Sequence, residues 1–228
     1  MTLPMGRRAM RDVFGETVTA LAAEDRRIVM LDGDLGTSTK GQIFEEAHPD
    51  RYLQMGIAEQ NMLGVAAGLA TMGLIPFIST FASFALIRPL DQVRVLIAQT
   101  GANVKITGAY SGLFTGRAGK THQVVDDIAI ARAMPGIVTV SPGDEVEAAR
   151  ALEWAAGYQG PVYMRLVRDA TQRMFDDTYA FEFGKAVVVR EGRDVTLVGT
   201  GIQTPTFTER FGLFPDQFVG NPDLMPEI

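Results

Sequence analysis

Glu59 opens an Ala/Gly-rich stretch in the run Gly56-Ile57-Ala58-Glu59-Gln60-Asn61-Met62, and two aromatics follow in Ser79-Thr80-Phe81-Ala82-Ser83-Phe84. A carboxylic acid at a buried helix start, with two aromatics three residues apart, can hold a flat, basic heterocycle. The ring would stack on an aromatic face while the acid supports protonation of an edge nitrogen. Burial suits the acid to that work, because desolvation favours the neutral carboxyl group. Each residue alone has a plainer explanation. Glu59 fits a first-turn glutamate that stabilises a helix N-terminus by its charge, and a Phe pair fits ordinary core packing. The order of the residues is what joins them into a candidate site.

The elements that must position these residues alternate along the chain. Met10, Val13, Phe14, Val18 and Leu21 have helical spacing within residues 7–23. Ile28-Val29-Met30-Leu31 reads as a buried strand turning at Asp32-Gly33-Asp34. Residues 59–72 read as a helix, Leu74 to Ile78 as a strand, and Phe81 to Gln99 as one long helix that Pro89 bends or restarts. On that reading Phe81 and Phe84 share a helix face. Val104 to Thr107 reads as a strand, followed by a Gly-rich loop over 108–121 and a helix over 124–133. Ile137 to Val140 is a strand, Ser141-Pro142-Gly143-Asp144-Glu145 a helix start, and Val162 to Leu166 a last strand. Strand–helix alternation of this kind predicts an α/β fold, a parallel sheet sandwiched by helices with right-handed crossovers. Ligands of such sheets sit beyond the carboxyl ends of the strands, which places Asp34, Ser79, Thr80, the 108–121 loop and Ser141 on one edge.

Composition narrows the chemistry. Among 228 residues there is no cysteine, which excludes disulfides, thiolate catalysis and Cys-based metal sites. Only His48 and His122 can carry histidine chemistry. A net charge of −6 with both signs interspersed argues against a nucleic-acid surface, and no apolar run reaches a membrane-span length. The N-terminus lacks the apolar core of a signal peptide, so a cytoplasmic location is expected.

The order GIAEQNM, Ala/Gly helix, STFxxF and Asp91-Gln92-Val93-Arg94 resembles the pyrimidine-binding domain of transketolases, and the resemblance runs over roughly residues 10–201. It implies that the heterocycle is the aminopyrimidine of thiamine diphosphate, with Glu59 activating the cofactor and Phe81 and Phe84 holding its ring. Thr121-His122-Gln123 matches the family's THQ signature, which gives His122 a catalytic, substrate-reaching role. Asp34 matches a cofactor-proximal aspartate and Ser38 a phosphate-contacting serine. Arg168, beyond Gly160-Pro161-Val162-Tyr163-Met164-Arg165, matches the phosphate-binding arginine, and a guanidinium fork suits that task.

Three departures stand out. The family's GEDG before THQ is replaced by Gly116-Arg117-Ala118-Gly119, so the aspartate that the resemblance implies at an acceptor hydroxyl is lost to Ala118, and the basic Arg117 replaces the acid next to it as an expected acceptor contact. The family's histidine just before the GL of this loop is missing, with Tyr110 or Gly108 in its place. Residues 204–228, rich in Pro and Phe, do not continue a C-terminal domain. The expected organisation is a pyrimidine-binding domain over 1–180 and, over 181–228, a remnant of the C-terminal domain. The remnant keeps a first hairpin over 185–200 and is altered after about 203.

The family's GDG…N motif for the diphosphate and metal is represented only by a false echo, Gly33-Asp34-Leu35 with Asn61. The resemblance therefore implies a split transketolase. An N-terminal partner subunit would hold the diphosphate with Mg2+ or Ca2+, this chain would hold no metal, and two heterodimers would pair. The substrates would be a ketose and an aldose, as phosphates. Rival readings are the beta subunit of a 2-oxo-acid dehydrogenase, a deoxyxylulose-phosphate synthase-like enzyme and, from another class, a non-catalytic binding or regulatory module of the same fold.

Overall fold

Unbroken apolar runs cannot alternate between core and water, so strands made of them need cover on both faces. The computed structural model describes residues 8–192 other than Ala186, and for Arg117 the backbone only. Its sheet has six strands, all parallel: β1 (Ile28–Asp32), β2 (Tyr52–Gln54), β3 (Ile75–Phe81), β4 (Lys105–Ala109), β5 (Val138–Val140) and β6 (Val162–Arg165), in the order β2-β1-β3-β4-β6-β5. The four inner strands are buried along their whole length, whereas the edge strands β2 and β5 are partly open.

Successive side chains of a strand point to opposite faces. Ile28 and Met30 of β1 pack with helices α1 (Met10–Glu24) and α7 (Glu145–Gly157) through Phe14, Val18, Ala151 and Leu152. Val29 and Leu31 point to the other face, against Met62, Leu63 and Ala66 of α4 (Glu59–Thr71) and against Ala85, Leu86, Val93 and Ile97. Two short helices, α2 (Gly36–Thr39) and α3 (Gln42–Ala47), fill the β1–β2 connection, and α6 (Asp127–Arg132) follows the loop after β4.

The long helix expected over 81–99 is not formed. Strand β3 continues through Phe81, because Ser79, Thr80 and Phe81 keep pairing with Thr107, Gly108 and Ala109 of β4. Gly108 permits the sharp exit that follows: a Cβ there would meet the Tyr163 hydroxyl at 2.7 Å and Ala82 Cα at 3.0 Å. The chain then makes a π-helical segment over Ser83–Ile87, turns at Arg88–Pro89, restarts as α5 (Leu90–Gln92) and widens again over Val93–Ala98. Pro89 caps the start of α5, as its missing N–H favours.

Beyond β6 the chain straps across α7. Asp144, fully buried, caps α7 by accepting from the Val146 and Glu147 amides, and its other oxygen accepts from the Met174 and Phe175 amides at 2.7 and 2.8 Å. Phe183 stacks on Trp154 with ring centroids 4.8 Å apart. Of the hairpin expected over 185–200, the described residues up to 192 form no strand, and residues 193–200 lie outside the described residues, as does 201–228. No helix among the described residues is long and apolar enough to cross a membrane.

Candidate active site

All six strands run the same way, so their carboxyl ends share one edge, and the candidate residues gather there. Two non-glycine residues adopt left-handed backbone just past strand ends: Asp34 (φ 65°) after β1 and Tyr110 (φ 58°) after β4. Such conformations cost on the order of 1–3 kcal/mol and cluster at sites where a side chain must be aimed.

Glu59 is the first residue of α4, and its side chain is 1% exposed. Gly56, with φ 69°, turns the chain into that helix. Arg88 Nη1 donates to both carboxylate oxygens, at 2.7 and 2.9 Å. The guanidinium carbon lies 4.1 Å from the centroid of the Phe84 ring, and the Arg88 side chain is 43% exposed. A buried acid, an aromatic face and a half-exposed cation thus meet at one point.

Behind them is an aromatic stack. Phe81 lies against Tyr110 with centroids 4.0 Å apart and 20° between the planes, and Phe84 is 5.9 Å from Phe81. His122 meets the rings of Phe81 and Phe84 edge-on at 5.9 and 5.3 Å. The pairing of Phe81 with Phe84 arises across a strand end and a π-turn, not along a helix face. Phe81 is buried within the stack, whereas Phe84 is half-buried and presents a face beside Glu59.

A cationic corner adjoins Tyr110. Arg11 of α1 donates from Nη1 to the Tyr110 hydroxyl at 2.9 Å and to the Ser38 carbonyl at 3.4 Å, and the Tyr110 hydroxyl donates to the same carbonyl at 3.3 Å. The Arg168 guanidinium lies 5.5 Å from the Tyr110 ring centroid and donates to Asp169 at 2.6 Å. The Ser38 carbonyl, Arg11 and Arg168 thus converge around one tyrosine.

Arg165 is placed differently. It is 8% exposed, and its Nε donates at 2.8 Å to Asp127, the fully buried first residue of α6. The Tyr163 hydroxyl donates to the same oxygen at 2.7 Å. Burial, and then the Asp127 charge, push the Tyr163 phenol well above its usual pKa.

The structure therefore brings Glu59, Phe81, Phe84 and His122 together, and sets Ser38 and Arg168 beside Tyr110. Asp34 stands exposed on the turn after β1, its amide bonded to Gln54. The backbone of Arg117 lies in a 3₁₀ turn, Gly116–Ala118. Among the described residues no group of three or more His, Asp or Glu side chains is arranged to hold a metal ion. Arg88, Arg11 and Asp127 were missed by sequence reasoning. Arg88 had one available signal, its position four residues after Phe84. Arg11 and Asp127 had none, since their partners are at least 27 and 36 residues away.

The residues fit an aminopyrimidine. A buried acid whose cationic partner lies flat on an aromatic face meets the needs of a flat ring with a basic edge nitrogen.

Residues 7–173 match the family model of the transketolase pyrimidine binding domain. The 6-deoxy-6-sulfo-D-fructose transketolase subunit SqwH of Clostridium sp. is 40% identical over 85% of this chain and 60% of its own length. Human transketolase is 35% identical over 85% of this chain and 31% of its own length. Among solved structures, a split-gene transketolase in the form of an inactive beta4 tetramer superposes with a TM-score of 0.74 and 40% identity, covering 83% of this chain and 61% of that one. The chain spans 63%, 55% and 60% of the length of three curated relatives that it matches.

Proposed function

The chain belongs to the transketolase family through its pyrimidine-binding domain, and from that premise we propose that it is one subunit of a thiamine-diphosphate-dependent transketolase that moves a two-carbon ketol unit from a ketose to an aldose. The observation that carries the proposal is Glu59: a carboxyl group buried at the start of α4, whose partner, the Arg88 guanidinium, lies over the face of Phe84.

Glu59 and Phe84 would hold the aminopyrimidine, with Phe81 as the wall behind. Bound thiamine diphosphate supplies a carbon nucleophile that accepts and releases the ketol unit. Glu59 holds a proton at the edge nitrogen of the ring, the task for which a buried acid is suited. Phe81, Phe84 and Tyr110 exclude water from the space above it. His122, edge-on to both phenylalanines, would hydrogen-bond substrate oxygens. Arg11, Arg168 and Ser38 would bind the anionic end of the sugar, since guanidinium forks pair with tetrahedral oxyanions. Phosphate and sulfonate share that chemistry, and the sulfosugar in the name of one relative makes both candidates. Asp34 remains a proposed cofactor contact and Arg117 a proposed acceptor contact, both resting on the sequence.

The diphosphate and its metal would be held by an N-terminal partner subunit. The names of two relatives, a transketolase subunit and a transketolase C-terminal section, support that division. So does the inactive state of the beta-only relative. Exposed Ile57 beside the site, with exposed Leu90 and Leu96, supports an interface there with a second copy or with the partner. The division of the chain near residue 180 remains part of the proposal. Mixing the chain with the partner subunit, thiamine diphosphate and Mg2+ should give ketol transfer from a ketose phosphate to an aldose phosphate, and the chain alone should give none. Equal activity of the isolated chain would sink the split-subunit reading, and oxidative decarboxylation of a 2-oxo acid would replace it with the dehydrogenase one.

A further inference from the structure

Arg88 has no part in the reaction just described, yet it occupies the place where the cofactor ring is expected. Its guanidinium is flat and cationic. It lies 4.1 Å from the Phe84 centroid and donates N–H bonds to both oxygens of Glu59. A protonated aminopyrimidine has the same three properties: a flat face for stacking, positive charge, and an N–H edge for the carboxylate. We propose that Arg88 is a built-in stand-in for the pyrimidine ring, seated in the cradle until the cofactor displaces it. The inference rests on the cofactor reading above and adds to it a residue that sets cofactor affinity.

The physical argument begins with Glu59. A carboxylate with a side chain 1% exposed needs a partner, because removing the partner of a buried charge is strongly destabilising. Among the described residues its only hydrogen-bond partner is Arg88. Two flat groups cannot lie on one face of Phe84 and share one carboxylate, so the cofactor ring and the guanidinium are alternatives. Arg88 is suited to leave. Its side chain is 43% exposed, so water takes over its hydrogen bonds as it swings out. The backbone need not move, since Arg88 already has helical φ and ψ in the turn after the π-helical segment. The contrast is Arg165, which is 8% exposed and has no such path.

A cradle filled by its own side chain lowers apparent affinity by the fraction of molecules in which it is free. Arg88→Met should therefore tighten thiamine diphosphate binding to the complex with the partner subunit by tenfold or more, read by calorimetry in the presence of Mg2+. Arg88→Lys, which keeps charge but not the planar fork, should fall between the two. Weaker binding by Arg88→Met would overturn the proposal, because it would make Arg88 a permanent support of Glu59. Binding by neither protein would overturn the cofactor reading itself, and the stand-in with it. Should Arg88→Met fail to fold, a crystal structure of the wild-type complex with thiamine diphosphate decides. The guanidinium has left Phe84 and Glu59 if the proposal holds, and remains at hydrogen-bond distance from Glu59 if it does not.

Discussion

Two carboxylate–arginine pairs stand at the carboxyl edge of the sheet, and each carboxylate is the first residue of a helix. Glu59 opens α4 and binds Arg88; Asp127 opens α6 and binds Arg165. Both carboxylates are buried. The cations differ: Arg88 is 43% exposed, whereas Arg165 is enclosed and shares its carboxylate with the Tyr163 hydroxyl. The same chemical pair therefore has two uses. Where the cation can return to water, the carboxylate is exchangeable and can serve a ligand. Where it cannot, the pair is a fixed part of the core that ties α6 to β6. Access, more than charge or distance, separates the site from the scaffold.

The sharpest way to break this comparison is to neutralise each carboxylate. Glu59→Gln, assembled with the partner, should lose roughly 10²–10⁴ in ketol-transfer rate, the usual weight of a positioned proton donor. Its thermal midpoint should stay near the wild-type value, because the released Arg88 turns to water. Asp127→Ala should do the reverse in kind. It leaves Arg165 buried without a counter-charge and should cost about 3–5 kcal/mol in urea unfolding. Replacing both members, Asp127→Leu with Arg165→Met, should recover much of that loss. Equal destabilisation by Glu59→Gln and Asp127→Ala would show that access is not what divides them.

A smaller effect is expected at the cationic corner. Arg168→Met and Arg11→Met should each raise KM for a phosphorylated or sulfonated ketose by an amount worth about 1.5–3 kcal/mol, the range for a hydrogen bond to a charged group. They should leave KM for an uncharged ketose unchanged. Loss of affinity for both sugars alike would mean that the arginines support Tyr110 and not the anion.

The smallest effect extends the comparison to a cation with no ion-pair partner among the described residues. Lys105, 2% exposed at the amino end of β4, donates to Asn103 Oδ1 and to the carbonyls of Tyr158 and Gly160 at 2.6–2.8 Å. Desolvation lowers its pKa to about 7. The unfolded value is near 10.4, so between those limits the unfolded chain binds more protons and stability rises with pH. Below about pH 7 the lysine is charged in both states and the slope vanishes. Urea midpoints measured from pH 7 to 10 should rise in the wild type relative to Lys105→Met, and a constant offset between the two would refute the shift.

The parallel sheet was legible because Ile28–Leu31 and Leu74–Ile78 are apolar runs, and Ile137–Val140 is a β-branched one, with turn residues between them. Strand β2 was not, since two half-buried residues and one exposed residue at an edge leave no pattern. The 81–99 segment misled because Phe81, Phe84 and their neighbours have helical spacing, while β4 pairing held Phe81 in the sheet. Of the site, Glu59, the two phenylalanines and His122 could be found through their order along the chain. Arg11 and Asp127 could not, because each acquires its meaning from a partner brought up by folding, and Arg88 offered only its place four residues after Phe84.

The strand order has a consequence for synthesis. Strand β6 lies between β4 and β5, although it follows both in the chain. While residues 162–165 are still inside the ribosome, β1, β3 and β4 can already lie side by side, and Glu59, Phe81 and Tyr110 can meet. The free edge of β4 is then an open template for another chain. The nascent protein would hold a nearly finished candidate site on an unfinished sheet, and β6, arriving last with Arg165, would close both the edge and the Asp127 pair in one step.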